Sequence, residues 1–172
     1  MLIWLALLFT CLSPPPSSEL PDPKADSLTV YIFLHDECVI SQYYTPELTR
    51  LADAYKQHHI GFIGVFPMAD QDRIDAFATA YQLTFPLIPD TSHHQVTLFD
   101  ATMMPQAVVW DHRTNRLLYR GRIDDSYVRV GKRNLHPKSR DLENMVKKWL
   151  DGIIPDHLVE TQAIGCVIDR RS

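Results

Sequence analysis

The chain is 172 residues long, 45% hydrophobic and 22% charged, with a formal net charge of −4. That length and apolar content suffice for one ordinary core. The negative balance, with both signs spread along the chain, excludes a general nucleic-acid binder working through a basic surface.

Residues 1–12 are an apolar run too short to span a bilayer as a stable helix. They have the character of the hydrophobic segment of a secretory signal, although no Lys or Arg precedes them. Residues 1–18 are therefore expected to be a signal peptide or a membrane or lipid anchor, with Cys11 as the lipid candidate. Residues 19–27 read as a linker, 28–152 as the folded domain and 153–172 as a C-terminal tail. The expected location is outside the cytoplasm, periplasmic or anchored to a membrane and facing the periplasm.

Within the domain, residues 28–34 (Leu-Thr-Val-Tyr-Ile-Phe-Leu) predict a buried strand. Residues 41–58 predict a helix, with Leu48, Leu51, Ala52 and Tyr55 at helical spacing and His58 and His59 closing it, where a cation suits the helix dipole. Residues 60–66 predict a second buried strand, 69–83 a second helix and 85–88 a short strand. Residues 93–99 predict a short helix with His93 and His94 on its polar side. Residues 106–111 and 116–120 predict a hairpin. Residues 123–138 are expected to be an irregular, solvated basic loop, and Arg120 and Arg122 are expected to pair with Asp124 and Asp125 to pin it. Residues 139–151 predict a final amphipathic helix with Leu142, Met145, Val146 and Trp149 inward. No internal repeat is present. Alternating strands and helices followed by a hairpin predict an α/β fold with a mixed sheet, a thioredoxin-like three-layer sandwich.

Three features carry chemistry. Cys38 stands where the first strand hands over to the first helix, and unpaired N–H groups and the helix dipole favour a thiolate there. Glu37 beside it opposes that effect. Ser41 occupies the position three residues on, where it can donate to the thiolate or cap the helix but cannot resolve a mixed disulfide. Met104-Pro105 precedes a strand-like Gln-Ala-Val-Val-Trp, and X–Pro is the peptide bond for which cis is accessible; a cis bond here is expected. Cys166, in Gly165-Cys166-Val167-Ile168, lies in a tail able to fold back over the sheet. It could form a redox pair or a structural disulfide with Cys38, share a metal, or stay free.

The segments Phe33-Leu34-His35-Asp36-Glu37-Cys38-Val39-Ile40-Ser41, Thr102-Met103-Met104-Pro105-Gln106, Tyr119-Arg120-Gly121-Arg122-Ile123-Asp124-Asp125 and Thr161-Gln162-Ala163-Ile164-Gly165-Cys166 resemble the exported redoxins. These form the alkyl hydroperoxide reductase/thiol-specific antioxidant-like group of the thioredoxin superfamily. The resemblance covers residues 28–168. It implies a thioredoxin-like fold and a thiol–disulfide oxidoreductase of antioxidant type, exchanging with a protein or small-molecule disulfide or thiol partner. Cys38 would be the nucleophile and Cys166 the resolving cysteine, with Pro105 shaping the substrate groove and Ser41 supporting the thiolate. Two departures argue against peroxidase activity. His35 replaces the Thr or Ser that holds peroxide in peroxiredoxins, and Val39 replaces the usual active-site proline. No cofactor is expected on this reading. The alternatives are a copper- or metal-handling module using Cys38, Cys166 and His35, since soft thiolates suit Cu(I), and a non-catalytic domain stapled by Cys38–Cys166.

Overall fold

The structure is a computed structural model and describes residues 27–170. The expected leader at residues 1–18 and the linker up to residue 26 lie outside the described residues. Ser27 already belongs to the fold, because its N–H donates to His59 O (3.0 Å) and its carbonyl accepts from His112 N (3.1 Å).

A six-stranded mixed sheet has the order β3-β2-β1-β5-β6-β9. Within it β1 (Leu28–Phe33) and β2 (Ile60–Phe66) are paired in parallel. On one side β3 (Leu87–Pro89) continues the parallel run. On the other, β5 (Gln106–Asp111) is antiparallel to β1 and forms a hairpin with β6 (Arg116–Gly121). Alternate side chains of β1 serve opposite faces, as a pleated strand requires. Val30 and Ile32 meet α1 (Val39–Tyr55), α2 (Gln71–Tyr81) and α4 (Asp141–Leu150), whose inward residues include Leu48, Phe77 and Val146. Tyr31 and Phe33 meet α3 (His94–Phe99) and Ile168 of the tail. Helices and tail on both sides of one sheet make a thioredoxin-like three-layer sandwich.

The main elements match the sequence pattern, with shifted edges. The first helix begins at Val39, not at residue 41, so Cys38 is itself the N-cap. It ends at Tyr55 and tightens into a 3₁₀ turn, Lys56–His58, before His59 takes the left-handed conformation (φ 55°). The third strand starts later than expected and ends on Pro89, which a sheet edge tolerates because its missing N–H would face outward. Pro46 inside α1 cannot donate to the Gln42 carbonyl; the Thr45 hydroxyl donates to it instead (2.8 Å).

Two expectations are corrected. Residues 123–138 are not wholly irregular: β7 (Tyr127–Arg129) and β8 (Lys132–Arg133) form a small hairpin. Arg120 and Arg122 do not pair with Asp124 and Asp125. Arg120 bridges Asp100 (3.1 Å) and Glu160 (2.7 Å), and Arg122 binds Asp141 (2.7 Å). Their positions on and just after β6 aim them at the tail and the start of α4, not along the loop that follows. The two aspartates serve that loop differently. Asp125 accepts from the N–H groups of Lys138 and Ser139, and Asp124 from the Tyr44 hydroxyl and Ser126 N.

The tail is the largest addition. β9 (Val159–Glu160) joins the sheet in parallel beside β6, and β10 (Cys166–Val167) pairs antiparallel with β4 (Met103–Met104). Two glycines permit its close approach. A side chain at Gly121 would strike Thr161, with its Oγ1 2.1 Å away. One at Gly165 would strike the Met104 carbonyl oxygen, also at 2.1 Å.

Candidate dithiol site

The site lies at the end of β1, where the chain bends through His35–Glu37 into α1. Side chains and backbone knit this bend together. Cys38 N–H donates to His35 O (3.1 Å), Glu37 N–H to His35 Nδ1 (3.0 Å) and His35 N–H to Ser41 Oγ (3.2 Å). Gln42 Nε2 donates to Asp36 O (2.7 Å). From α2, Arg73 holds the Asp36 carboxylate through two hydrogen bonds (2.8 and 3.0 Å) and reaches Glu37 Oε1 (3.0 Å). Glu37, the acidic neighbour expected to oppose a Cys38 thiolate, is thus paired with a cation and faces solvent.

Cys38 is only 2% exposed. Its side chain makes no capping bond to the helix. The helix instead serves the sulfur. Burial raises the cost of ionising Cys38 and is the largest single influence on it. Hydrogen bonds from the Cys166 thiol, the N–H groups of Ser41 and Ile40, and the Ser41 hydroxyl overcome that cost, and the thiol ionises more readily than an ordinary cysteine. Ser41 lies inside the helix, not at its cap, and its oxygen serves both the bend and the sulfur.

Opposite Cys38 is the turn into β5. The Met104–Pro105 peptide bond is cis. The Met104 carbonyl accepts from Cys38 Sγ (3.4 Å). Gln106, buried at the start of β5, folds its Oε1 back to accept from Thr102 N (2.8 Å) and Met103 N (3.2 Å), fixing the turn. Nothing in the sequence pattern singled out Gln106 or Arg73. The retrospective signals are an acidic Asp36-Glu37 pair needing a cation and a polar residue heading a buried strand.

The tail completes the site. Thr161 is held between Tyr119 and Arg122: its Oγ1 lies 2.5 Å from the Tyr119 hydroxyl and accepts from Arg122 N (3.0 Å). Cys166 then stands opposite Met104 in the β10–β4 ladder. Ile168 is buried in the second core, and its N–H donates to Thr102 O (3.0 Å). Arg170 reaches Asp100 and the Ala101 carbonyl. This seating places Cys166 Sγ 2.6 Å from Cys38 Sγ, the Cys166 thiol donating. Burial, that donated hydrogen bond and the charge on Cys38 push the Cys166 thiol up to about 12. Of the two thiols, Cys38 is therefore the first to ionise, and Cys166 holds its proton longer.

Cys38 and Ser41, neighbours on the first turn of α1, therefore meet the remote Met104-Pro105 turn and Cys166 at one point. His35 does not join the two sulfurs as a third ligand. Its Nδ1 is turned to the Glu37 N–H and Asp36, and among the described residues no group of three or more His, Cys, Asp or Glu could hold a metal ion. The Cys38, Cys166 and His35 copper site considered from sequence is not assembled.

No protein-family model matches the chain, and no curated protein matches it significantly. Solved structures do. An uncharacterized conserved protein from Geobacillus kaustophilus is 25% identical with a TM-score of 0.72, covering 89% of this chain and 82% of that one. A hypothetical protein from Sinorhizobium meliloti is 23% identical with a TM-score of 0.71, covering 85% and 81%. The thioredoxin domain of a thiol-disulfide oxidoreductase from Bacteroides vulgatus is 16% identical with a TM-score of 0.54, covering 76% and 83%. The chain has the thioredoxin-like fold, and at that coarse level the redoxin resemblance fits.

Proposed function

We propose that this protein is a thiol–disulfide oxidoreductase whose redox centre is the Cys38–Cys166 pair. The observation that carries the reading is the meeting of two remote sulfurs at 2.6 Å, one favoured as thiolate and the other as thiol. That arrangement suits reversible closure. In one direction the dithiol gives two electrons and two protons to a partner disulfide, which becomes two thiols while Cys38 and Cys166 join. In the other, the pair accepts them from a partner dithiol. Pro105 and the Met104 carbonyl shape the wall against which a partner sulfur would be aligned. His35 is committed to the loop backbone, which favours disulfide exchange over peroxide reduction. The apolar run at residues 1–12 supports export to a compartment where such a pair can cycle.

The fold's use in a solved thiol-disulfide oxidoreductase agrees with this reading. Two measurements test it. Non-reduced peptide mapping of the oxidised protein should find Cys38 joined to Cys166. The Cys38→Ser variant should lose reduction of a model disulfide. Retained activity in that variant, or a mapped protein with both thiols free after oxidation, would overturn it. A static staple, the other reading of a Cys38–Cys166 bond, would resist reduction across ordinary glutathione potentials.

A further inference from the structure

The order of events at the pair follows from how the tail covers it. Cys38 is buried beneath the β10 strand, its sulfur enclosed by the Met104 carbonyl, the first turn of α1 and Cys166. Cys166 is an exposed residue whose sulfur is covered only on the side that meets Cys38, and Val167 beside it is 71% exposed. An external sulfur can therefore approach Cys166 along the open side of the strand, whereas reaching Cys38 requires the tail to leave. Leaving is opposed at four places. These are the Thr161 cleft against Gly121, the Gly165 contact with Met104, the buried Ile168 and the Arg170–Asp100 pair.

The geometry points to Cys166, not Cys38, as the sulfur that external thiols meet, with Cys38 as the internal sulfur that departs and re-closes the pair. This rests on the oxidoreductase reading and reverses the roles expected from sequence. In the oxidised protein, a partner thiolate attacks Cys166 Sγ in line with the Cys38–Cys166 bond. A bond forms between partner sulfur and Cys166, the Cys38–Cys166 bond breaks, and Cys38 leaves with the electron pair as thiolate. A second thiolate of the partner then attacks the partner's own sulfur, expels Cys166, and Cys166 takes up a proton. The products are a partner disulfide and the reduced Cys38/Cys166 pair. A lower-pKa thiol leaves faster, and the helix N-terminus supports the charge on Cys38, so access and leaving-group chemistry agree. With a monothiol partner, Cys38 attacks the mixed disulfide and restores the starting state.

The test uses the oxidised full chain and reduced glutathione as probe. After brief exposure the reaction is quenched in acid, free thiols are alkylated in denaturant, and peptides are mapped by mass. Glutathione should be found on Cys166 and the alkyl group on Cys38, in an excess of about tenfold or more over the reverse. Glutathione on Cys38 overturns the inference. As a second measurement, reduced Cys38→Ser and Cys166→Ser are treated with glutathione disulfide, and each rate is divided by the thiolate fraction read from ultraviolet absorbance at the same pH. Cys166 in the first variant should be modified at least about tenfold faster than Cys38 in the second; equal or inverted rates overturn the inference. If either variant fails to fold, the wild-type mapping decides. Should the oxidised protein contain no Cys38–Cys166 bond at all, the oxidoreductase reading itself fails, and this outcome is distinct from glutathione landing on the wrong sulfur.

Discussion

Gly165→Ala is the sharpest perturbation of the seat that brings the sulfurs together. A methyl group there would lie 2.1 Å from Met104 O, 2.6 Å from Met104 C and 2.9 Å from Pro105 N. All three are backbone atoms, so no flexible side chain can swing aside. Carbon–oxygen contacts settle near 3.3 Å, roughly, and the tail must therefore withdraw by about 1 Å at this point. Cys166 is the next residue and sits in ladder register with Met104. Its sulfur, now 2.6 Å from Cys38 Sγ, would retreat by a similar amount. Overpacking of this kind costs about 1–3 kcal/mol. At about 1.4 kcal/mol per tenfold, the equilibrium constant for closing the Cys38–Cys166 bond against glutathione should fall by roughly 5- to 150-fold. The assay equilibrates wild type and variant in graded glutathione buffers, quenches with acid and measures the oxidised fraction by mass. Val167→Ala is the control. Its side chain is exposed, and it should leave the equilibrium within about twofold, as surface substitutions do. A Gly165→Ala protein that closes the bond as readily as wild type would refute the idea that this contact seats the tail.

The reduced protein should show one thiolate titrating below the ordinary cysteine range. Because the Cys38 pKa is lowered, its ultraviolet thiolate absorbance should persist as pH falls past the value at which the unfolded chain loses it. Cys38→Ser should remove that transition, and Cys166 should then titrate below about 12, because the hydrogen bond to Cys38 and the charge it carries are gone. A first thiol transition at or above the ordinary value would contradict the charge assignment. Gln106→Leu strands the N–H groups of Thr102 and Met103 and should cost about 1–3 kcal/mol in denaturant unfolding; an unchanged midpoint would remove its role in fixing the turn. Ile168→Ala empties a buried position in the second core and should cost about 2 kcal/mol or more. It should also raise the alkylation rate of Cys38 in the Cys166→Ser background, and an unaltered rate would mean that this anchor does not keep the tail closed.

The sequence alone determined the layered framework and one half of the site. Residues 28–34 and 60–66 are too apolar to be anything but interior strands, and their order with the amphipathic stretches leaves few arrangements of sheet and helix. The place of Cys38 at a strand–helix junction and the proline before β5 are local features, written in consecutive residues. What local pattern could not decide was everything the tail does. Two-residue strands such as Val159–Glu160 and Cys166–Val167 carry no periodicity. Their pairing depends on the bare glycine backbones of 121 and 165 meeting partners some 40 and 60 residues away. The partners of Arg120 and Arg122 are hidden from local pattern for the same reason, since charges pair by proximity in space and not along the chain. Only the closed tertiary structure, by laying Cys166 over Cys38, decides which sulfur is hidden, which ionises first and which lies toward the solvent.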